Sequence, residues 1–220
     1  DVVADGLKPI PHDPLPKTKY DMKLCAPDGT RNVFIGPHML LPADKARHVG
    51  EAVAMIVAET YNQVLDAAEA LQIDYEVLPF VTDAREAASP GAVSVWDELP
   101  DNICVETFFG DEQKTAEGFA KAKHVVEYEF HIDRVTGVPL EPRAAVANFD
   151  PQSGRYTLYA GSGGAVRQKA ELAHVLNIKP AELRILSYDV GGNFGTRNRA
   201  FVEFGLVLWA SQKLGRPVRY

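Results

Sequence analysis

Apolar and polar residues follow two different periods in the first third of the chain. Residues 51–59, EAVAMIVAE, form a nearly continuous apolar run, which favours a strand buried on both faces. Thr60 stands where a helix N-cap belongs, and residues 61–71 place apolar side chains at three- and four-residue spacings. Residues 73–78 alternate apolar and polar side chains until Pro79. The pattern predicts a strand, a helix with one stripe against a sheet, and a second strand, joined by a right-handed crossover.

Strands and helices also alternate in the last third of the chain. We predict strands at residues 144–149, 156–160 and 183–188, and helices at residues 166–176 and 200–214. Gly215 occupies the expected position of a helix C-cap, and the residues that follow resemble the start of a further strand.

The segments around these regions have a different composition. Residues 1–45 are rich in turn formers, which favours an extended segment lying on a partner domain. In the middle of the chain we predict a short amphipathic helix at residues 114–123, a strand at residues 123–133 and a second domain from about residue 130.

Composition narrows the classes of function. The chain has 220 residues, a net charge of -7 and no Lys/Arg block, which argues against nucleic acid or an anionic membrane surface as a partner. Cys25 and Cys104 are isolated, which excludes a dense disulfide framework and favours the cytoplasm. No apolar run reaches the ~18–20 residues of a membrane span, and no signal peptide opens the sequence. Because Asp1 is not methionine and a strand begins near Tyr220, we expect a fragment cut at both ends.

A glycine-rich segment at residues 189–197, DVGGNFGTR, follows a predicted strand and precedes a predicted helix. Glycines let a ligand approach the backbone, and free N–H groups near a helix N-terminus attract oxyanions or polarised oxygens. The segment is a candidate ligand-binding turn. The residues alone equally allow a tight structural turn with Phe194 buried in the core.

A second glycine-rich segment at residues 161–164, GSGG, also joins a predicted strand to a predicted helix. It begins like the G-x-G-x-x-G fingerprint of dinucleotide-binding folds, but Val166 stands where the last glycine belongs. A flexible connection and a phosphate-binding turn both stay open, the latter with Glu182 or Asp189 near a ribose. If the preceding strands are parallel, both glycine-rich segments lie at one end of the sheet, where ligands gather.

The remaining polar residues show no catalytic spacing. The Glu-Pro-Arg sequence at residues 141–143 is more typical of a structural pair than of a catalytic carboxylate. The six histidines lack metal-ligand spacing, and no G-x-S-x-G elbow or Cys/His pair indicates a covalent nucleophile. These features argue against an autonomous hydrolase.

Four motifs follow one another in a fixed order: residues 48–54 (HVGEAVA), 139–143 (PLEPR), 189–197 and 213–218 (KLGRPV). With them the chain resembles, along essentially all of its length, the large subunit of molybdenum hydroxylases of the xanthine dehydrogenase, aldehyde oxidase and aerobic carbon monoxide dehydrogenase family. The first motif is similar to the family's V-G-E-P-V-A stretch, and the third is similar to its G-G-G-F-G-G-K loop beside the cofactor.

The resemblance implies an α+β fold. Residues 1–130 would form an α/β hammerhead domain that lacks its N-terminal part, and residues 131–220 would begin a mixed α/β molybdopterin-binding domain. It also implies hydroxylation of an aldehyde or an N-heteroaromatic compound with oxygen derived from water. The cofactor would be a molybdenum-molybdopterin, for which the cytosine dinucleotide form is one option. Iron-sulfur and FAD groups would lie on partner subunits of an oligomeric complex.

The resemblance also implies which residues face the cofactor. Phe194 and Gly195 match the part of the loop closest to molybdenum, where a backbone amide bonds the metal-oxygen group. The residues expected at the cofactor are Gly163, Gly192, Asn193, Phe194, Gly195, Thr196 and Arg197.

Five positions depart from the family's pattern. Asn193 replaces the third glycine of the loop, and Thr196-Arg197 replaces its Gly-Lys. Asn198 stands where purine hydroxylases have a glutamate, so we expect a substrate contact there and no purine substrate. Gly163 stands where a glutamine usually bonds a molybdenum oxygen, so this support is expected to be altered. The family's general-base glutamate would lie beyond residue 220, which leaves the fragment without a catalytic residue and inactive alone.

Two other readings stay open. One is a nucleotide-binding oxidoreductase domain that uses residues 161–164, and the other is a non-catalytic module that packs against other subunits.

Overall fold

The computed structural model describes residues 1–12, 33–106 and 110–220. Contacts divide the chain into two compact units. The first unit contains residues 1–12, 37–78 and 136–220, and the described part of the second contains residues 33–36, 79–106 and 110–135. Residues 13–32 of the extended segment predicted in the first 45 residues, with Cys25, lie outside the described residues.

The first unit contains a four-stranded mixed sheet in the order β3-β2-β1-β4. Strands β2 and β3 are parallel, whereas β1 pairs antiparallel with both β2 and β4. The strands are β1 (Ala145–Asp150), β2 (Arg155–Ala160), β3 (Leu183–Leu186) and β4 (Val218–Arg219). The structure therefore confirms the predicted strands of the last third, including the one that begins near the end of the sequence.

The described helices agree closely with the predicted ones. They are α1 (Tyr61–Ala70), α2 (Ala84–Ala87), α3 (Glu112–Lys121), α4 (Ala165–Val175) and α5 (Val202–Leu214), with a 3-10 turn at Pro180–Glu182. Gly215 ends α5 with a φ of 60°, a left-handed conformation that glycine adopts without steric cost. None of the described helices is long and apolar enough to cross a bilayer.

One face of the sheet forms the core of the first unit. Along β2, Tyr156, Leu158 and Ala160 are buried while the residues between them are more exposed, as expected for a strand covered on one face. Helices α4 and α5 cover that face and contribute buried side chains such as Leu172 and Phe204, and Ile10, Leu40 and Leu183 complete the core. Gly205 of α5 lies against Leu40, and an added Cβ there would come within 2.8 Å of Leu40 Cδ1.

Helix α1 begins at the predicted N-cap. The hydroxyl of Thr60 accepts the N–H of Gln63, and the Gln63 side chain accepts the N–H of Thr60, which forms a reciprocal capping box. No residue of α1 is buried, however. The prediction of a helix stripe packed against a sheet is wrong for this helix.

Three predicted strands do not form. Residues 51–59, 73–78 and 123–133 are described but contain no strand, and residues 73–78 are exposed throughout. An alternating or apolar pattern reports which side chains favour burial, whereas a strand also requires a neighbouring strand to pair with. The described residues supply no such neighbour to these segments, so the predicted strand, helix, strand unit consists of its helix alone.

The second unit contains α2 and α3, each capped by an aspartate. The carboxylate of Asp83 accepts two N–H groups of α2, and that of Asp111 accepts the N–H of Lys114. The indole of Trp96 lies so close to Gly36 that an added Cβ would meet it at 2.5 Å. Helix α3 confirms the predicted helix at residues 114–123.

Candidate functional site

The two glycine-rich turns leave the sheet side by side. Strands β2 and β3 are parallel, with Tyr159 paired to Leu186, and the turns at residues 161–164 and 189–197 follow their carboxyl ends. Carboxyl ends of adjacent parallel strands lie at the same edge of a sheet, which is where α/β folds bind ligands. The structure confirms the predicted juxtaposition of the two turns.

Gly163 is where the two turns touch. Its N–H donates to the carbonyl oxygen of Arg197 at 2.9 Å. A Cβ at this position would overlap the Nδ2 atom of Asn193 and would come within 2.5 Å of Asn198 Oδ1. As long as the Asn193 side chain keeps this position, only glycine fits at position 163.

Asn193 organises the second turn through both its side chain and its backbone. Its Oδ1 atom accepts the N–H of Gly195 at 3.2 Å and the N–H of Arg197 at 3.1 Å, and its Nδ2 atom donates to Asn198 Oδ1 at 2.7 Å. Its carbonyl oxygen accepts the N–H and the hydroxyl of Thr196 at 3.0 and 2.8 Å. The two backbone donors identify Oδ1 as the oxygen, so the carboxamide has one orientation.

Phe194 does not enter the core, and the alternative of a structural turn with a buried phenylalanine is wrong. Its side chain is 74% exposed and its φ is 50°, a left-handed conformation that costs energy for any residue except glycine. The ring lies over Gly192, where an added Cβ would come within 2.7 Å of Phe194 Cε2. Gly137 is equally close to the Phe194 Cβ, at 2.8 Å from the position of its own added Cβ. A strained backbone that carries an exposed aromatic ring is typical of a functional turn.

The two turns differ in how their backbone amides are used. In the first turn, Ser162 N–H donates to Ser187 Oγ at 3.1 Å and Gly164 N–H donates to Ser162 Oγ at 2.9 Å, in addition to the bond from Gly163. In the second, the N–H groups of residues 192–194 have no hydrogen-bond acceptor within the described part of the chain. Free donors at a strand end fit a ligand that supplies oxygen acceptors, so the second turn is the better ligand site.

An ion pair ties this turn to the Glu-Pro-Arg motif. Arg197 Nη1 lies 2.5 Å from Glu141 Oε2, and Arg197 Nη2 donates to the Glu141 carbonyl oxygen. Gly191 N–H also donates to Glu141 Oε2, at 2.8 Å. The Gly191 N–H and the Arg197 guanidinium hold the pKa of the Glu141 carboxyl below its ordinary value, against the opposing effect of burial. Glu141 is therefore paired, as expected for a structural carboxylate, but its partner is Arg197 of the glycine-rich turn, and Arg143 pairs with Glu203 instead.

Two glycines make room for this ion pair. A Cβ at Gly191 would come within 2.5 Å of both the backbone N and the Cβ of Glu141, and a Cβ at Gly161 would come within 3.0 Å of Arg197 Nη1. Leu140 N–H donates to the Gly191 carbonyl oxygen at 3.1 Å, which joins the two backbones directly. The close approach of three segments explains why glycine occurs at these positions.

A cavity of about 420 Å³ opens beside the ion pair. Its lining includes Glu141, Gly161, Tyr159, Tyr188 and Asp189, and it also borders β4. Aromatic side chains with a few polar groups form a surface suited to an organic molecule or to another segment of polypeptide.

Metal ligands of the usual kind are absent from this region. Among the residues that the structure describes, no group of three or more His, Cys, Asp or Glu side chains could hold a metal ion. His12 and His38 hydrogen-bond each other at 2.8 Å, and Cys104 is an exposed free thiol.

Comparison with protein families identifies the fold to which these turns belong. A family model described as the molybdopterin cofactor-binding domain matches residues 95–220, more than half of the chain. The chain belongs to the molybdopterin cofactor-binding domain family. Both glycine-rich turns and the ion pair lie inside the matched segment.

Curated proteins with similar sequences are subunits of larger enzymes. The chain is 32% identical over 185 residues to the 6-hydroxypseudooxynicotine dehydrogenase complex subunit gamma of Paenarthrobacter nicotinovorans, over 83% of this chain and 22% of that protein. It is 32% identical over 183 residues to the nicotine 6-hydroxylase large subunit of the same organism, over 82% of this chain and 22% of that protein. The molybdopterin cofactor-binding chain described here thus spans about a fifth of the length of these relatives.

A solved structure is similar in fold as well as in sequence. The crystal structure of quinoline 2-oxidoreductase from Pseudomonas putida 86 matches with a TM-score of 0.79 and 31% identity, over 90% of this chain and 24% of that chain. The likeness supports the mixed α/β architecture of the molybdopterin cofactor-binding domain.

The structure brings all eight residues nominated from the sequence into one region. Seven of them form or adjoin the turn after β3, and Gly163 contacts that turn from the end of β2. Sequence reasoning did not predict the bond between Arg197 and Glu141. The only signal was that both motifs belong to the ordered set that carries the resemblance.

Proposed function

We propose that this chain is part of the molybdenum-cofactor-binding subunit of an oxidoreductase that hydroxylates an aldehyde or N-heteroaromatic substrate with oxygen from water. The observation that carries the proposal is the turn at residues 192–194, at the end of two parallel strands, whose N–H groups have no acceptor among the residues that the structure describes. Membership in the molybdopterin cofactor-binding domain family supplies the identity of the ligand.

The residues of this turn fit a molybdenum-pterin cofactor. The unpaired N–H groups are hydrogen-bond donors, and the oxygen atoms of such a cofactor are acceptors. Glycines at positions 192 and 195 keep side chains away from the backbone on either side of Phe194. When bound, the cofactor supplies the oxygen transfer and accepts two electrons, while the protein holds and orients the reactants. The residues proposed to hold it are Gly163, Gly192, Asn193, Phe194, Gly195, Thr196 and Arg197.

We assign no proton transfer to Glu141. The Gly191 N–H and the Arg197 guanidinium stabilise its ionised form, so at neutral pH the carboxyl is already deprotonated and engaged. Its role is to hold the turn. No catalytic residue of this chain is proposed, and we infer that the chain requires the remainder of its subunit for activity.

For the substrate, we favour an N-heteroaromatic compound over an aldehyde. The names of two similar proteins specify nicotine 6-hydroxylase and quinoline 2-oxidoreductase, both of which act on N-heteroaromatic rings. Asn198, whose side chain is exposed beside the turn, is the proposed substrate contact. A neutral carboxamide there is less suited to a purine than a carboxylate, because it supplies no charge to the proton transfers of that ring.

We further propose that residues 1–130 form part of an α/β hammerhead domain, and that residues 131–220 begin the cofactor-binding domain. Many apolar side chains within residues 73–80 and 125–140 are exposed, which supports this proposal because such a surface is typical of a region that packs against further polypeptide. Iron-sulfur and flavin subunits are the proposed electron-transfer partners. The similarity to a subunit gamma and a large subunit supports a multi-subunit assembly.

The nucleotide-binding alternative gains no support from the geometry. A phosphate-binding turn requires free backbone N–H groups, but those of residues 162–164 already donate to the protein. The Asn193 side chain also closes the space above Gly163.

The test of the proposed reaction determines whether the oxygen atom in the product comes from water. The full-length parent protein, co-expressed with its neighbouring subunits, is incubated in ¹⁸O-labelled water with a dye acceptor and quinoline, benzaldehyde or xanthine in turn. We expect a hydroxylated quinoline that carries one labelled oxygen, weaker oxidation of benzaldehyde and no reaction of xanthine. Label-free product formed only when O₂ is present would contradict the proposal.

A further inference from the structure

Gly163 and Asn193 behave as one structural pair. The φ of Gly163 lies outside the left-handed region that favours glycine, so its backbone does not by itself require that residue. What prevents a side chain is the Asn193 carboxamide, whose Nδ2 atom occupies the place of a Cβ at position 163, together with the Asn198 Oδ1 atom that this carboxamide binds, 2.5 Å from the same place. A side chain at 163 and the carboxamide of residue 193 therefore compete for the same space.

Hydrogen bonds fix the orientation of the Asn193 carboxamide, but one of its N–H donors has no acceptor among the described residues. Two backbone N–H groups bind its Oδ1 atom, and one hydrogen of Nδ2 is donated to Asn198. An amide nitrogen has two hydrogens, and the second has no acceptor among the described residues. Unused donors of fixed orientation are what a polar ligand site needs.

The position of this donor connects it to the proposed ligand. Asn193 belongs to the same run of three residues whose backbone N–H groups have no acceptor in the described part of the chain, and Gly163 beside it is exposed. A carboxamide that filled the space only for packing would be expected to lie against apolar neighbours. This one contacts the polar side chain of Asn198 and covers Gly163, which has no side chain. The Asn193 side-chain donor and the backbone N–H groups that lack acceptors among the described residues therefore lie on the same turn.

We propose that Asn193 is a cofactor-binding residue whose side-chain N–H donates to an oxygen atom of the molybdenum-pterin cofactor, and that Gly163 is glycine because this carboxamide requires its space. This inference rests on the proposed function of the turn. It adds a side-chain donor to the backbone amides, and it explains the residues at two positions together.

The experiment uses the full-length protein co-expressed with its partner subunits. Asn193→Asp keeps the shape and the oxygen that accepts two N–H groups but removes the N–H donor. Gly163→Ala leaves Asn193 in the sequence but places a Cβ in its space. Asn62→Asp, on the exposed surface of α1, is the matched control for the added charge.

The exchange variant combines Gly163→Asn with Asn193→Gly. It moves the carboxamide from the turn after β3 to the turn after β2. For each protein, molybdenum and pterin are measured after dialysis, the Mo(V) electron paramagnetic resonance spectrum is recorded after partial reduction, and thermal unfolding checks the fold. The spectrum reports contacts of the metal group, which a purely structural role would leave unchanged.

We expect Asn193→Asp and Gly163→Ala each to retain about tenfold less molybdenum than the wild type, as for the loss of one strong hydrogen bond. The molybdenum that remains should give an altered Mo(V) spectrum. Asn62→Asp should match the wild type, and the exchange variant should recover most of the lost molybdenum.

The inference is overturned if Asn193→Asp unfolds like the wild type, retains the same molybdenum and gives the same spectrum. Should that variant fail to fold, the exchange variant decides, because a folded exchange variant without molybdenum also overturns the inference. A wild-type protein that contains neither molybdenum nor pterin is a different result, since it removes the proposed function itself.

Discussion

Arg197 and Glu141 are 56 residues apart in the sequence, yet their side chains meet at 2.5 Å. The Arg197 side chain is 4% exposed and that of Glu141 is 35% exposed, so the pair lies at the edge of the core. The same carboxylate accepts the Gly191 N–H. One acidic side chain therefore fixes both ends of the turn that we assign to the cofactor.

Removing this carboxylate is expected to loosen the turn. Glu141→Ala leaves a nearly buried guanidinium without its partner, so the free energy of unfolding should fall by about 1–2 kcal/mol. Glu141→Gln should lower the free energy of unfolding by less, because glutamine retains an oxygen that accepts the Gly191 N–H. Urea unfolding measures both, with Glu69→Ala on the exposed surface of α1 as control. Equal stability of Glu141→Ala and the control would show that the ion pair does not hold the turn.

Acid should weaken the same contact. Because the pKa of Glu141 in the folded protein lies below its ordinary value of 4.5, the unfolded chain takes up this proton first as pH falls. Its stabilising contribution is therefore complete above pH 4.5 and is lost as pH drops through the lower folded-state pKa. The difference in unfolding free energy between the wild type and Glu141→Gln should shrink across that range. A difference that stays constant down to pH 3 would argue against this assignment.

The stacked histidines predict a second dependence on pH. Burial lowers the pKa of both His12 and His38 from 6.5, and the cation of Arg199 acts in the same direction on each. Nearby carboxylates of Glu171 and Glu51 oppose the shift only in part. The other charged groups that act on the pair are Arg167, His48 and Glu203.

As pH falls below about 6.5, the unfolded chain therefore binds more protons than the folded one, and the free energy of unfolding decreases. The slope is at most about 1.4 kcal/mol per pH unit for each proton. A double variant, His12→Gln with His38→Gln, should lose part of this slope between pH 7 and pH 5. An unchanged slope in the double variant would contradict the prediction.

The glycines at the site give a matched pair of substitutions. Gly191→Ala would force a Cβ against the backbone of Glu141, which cannot move as a flexible side chain can. We therefore expect the free energy of unfolding to fall by about 1–3 kcal/mol. Gly164→Ala has open space around the added Cβ and an extended φ of 174° that any residue adopts. Thermal unfolding should therefore separate the two variants clearly. If both melt at the same temperature, the close approach at Gly191 is not a constraint.

How far the sequence predicts this fold depends on how local each feature is. The helices α4 and α5 were predicted to within a few residues, because capping residues and periodicity act within one element. The strands expected at residues 51–59 and 73–78 depended on partners elsewhere, which no local pattern identifies.

The same distinction applies to the site. The resemblance nominates residues 192–198, which lie together because they are contiguous, and their contact with a cofactor stays a prediction. The contacts of Gly163 with Asn193 and of Glu141 with Arg197 join segments that are distant in sequence. The exposure of Phe194 could not be predicted from the sequence either, because phenylalanine is more often buried. Its left-handed φ is a property of the structure.

The exposed apolar side chains predict the behaviour of the isolated 220-residue chain. In the extended segment after α3, Val126 is 89% and Ile132 is 86% exposed, and their aromatic neighbours Tyr128 and Phe130 are exposed as well. Apolar surface of this kind favours association, so we expect self-association that Val126→Lys with Ile132→Lys reduces. Light scattering measures it, and a clean monomer at high concentration would contradict the prediction.

The central claim is that the turn after β3 belongs to a protein that carries a molybdenum-pterin cofactor. The most direct measurement is the molybdenum and pterin content of the full-length parent, co-expressed with its neighbouring subunits in a host that loads related enzymes. Elemental mass spectrometry gives the metal, and fluorescence after oxidation gives the pterin. We predict one molybdenum and one pterin per polypeptide. A folded protein that contains neither would contradict the account and would indicate a non-catalytic module that packs against other subunits.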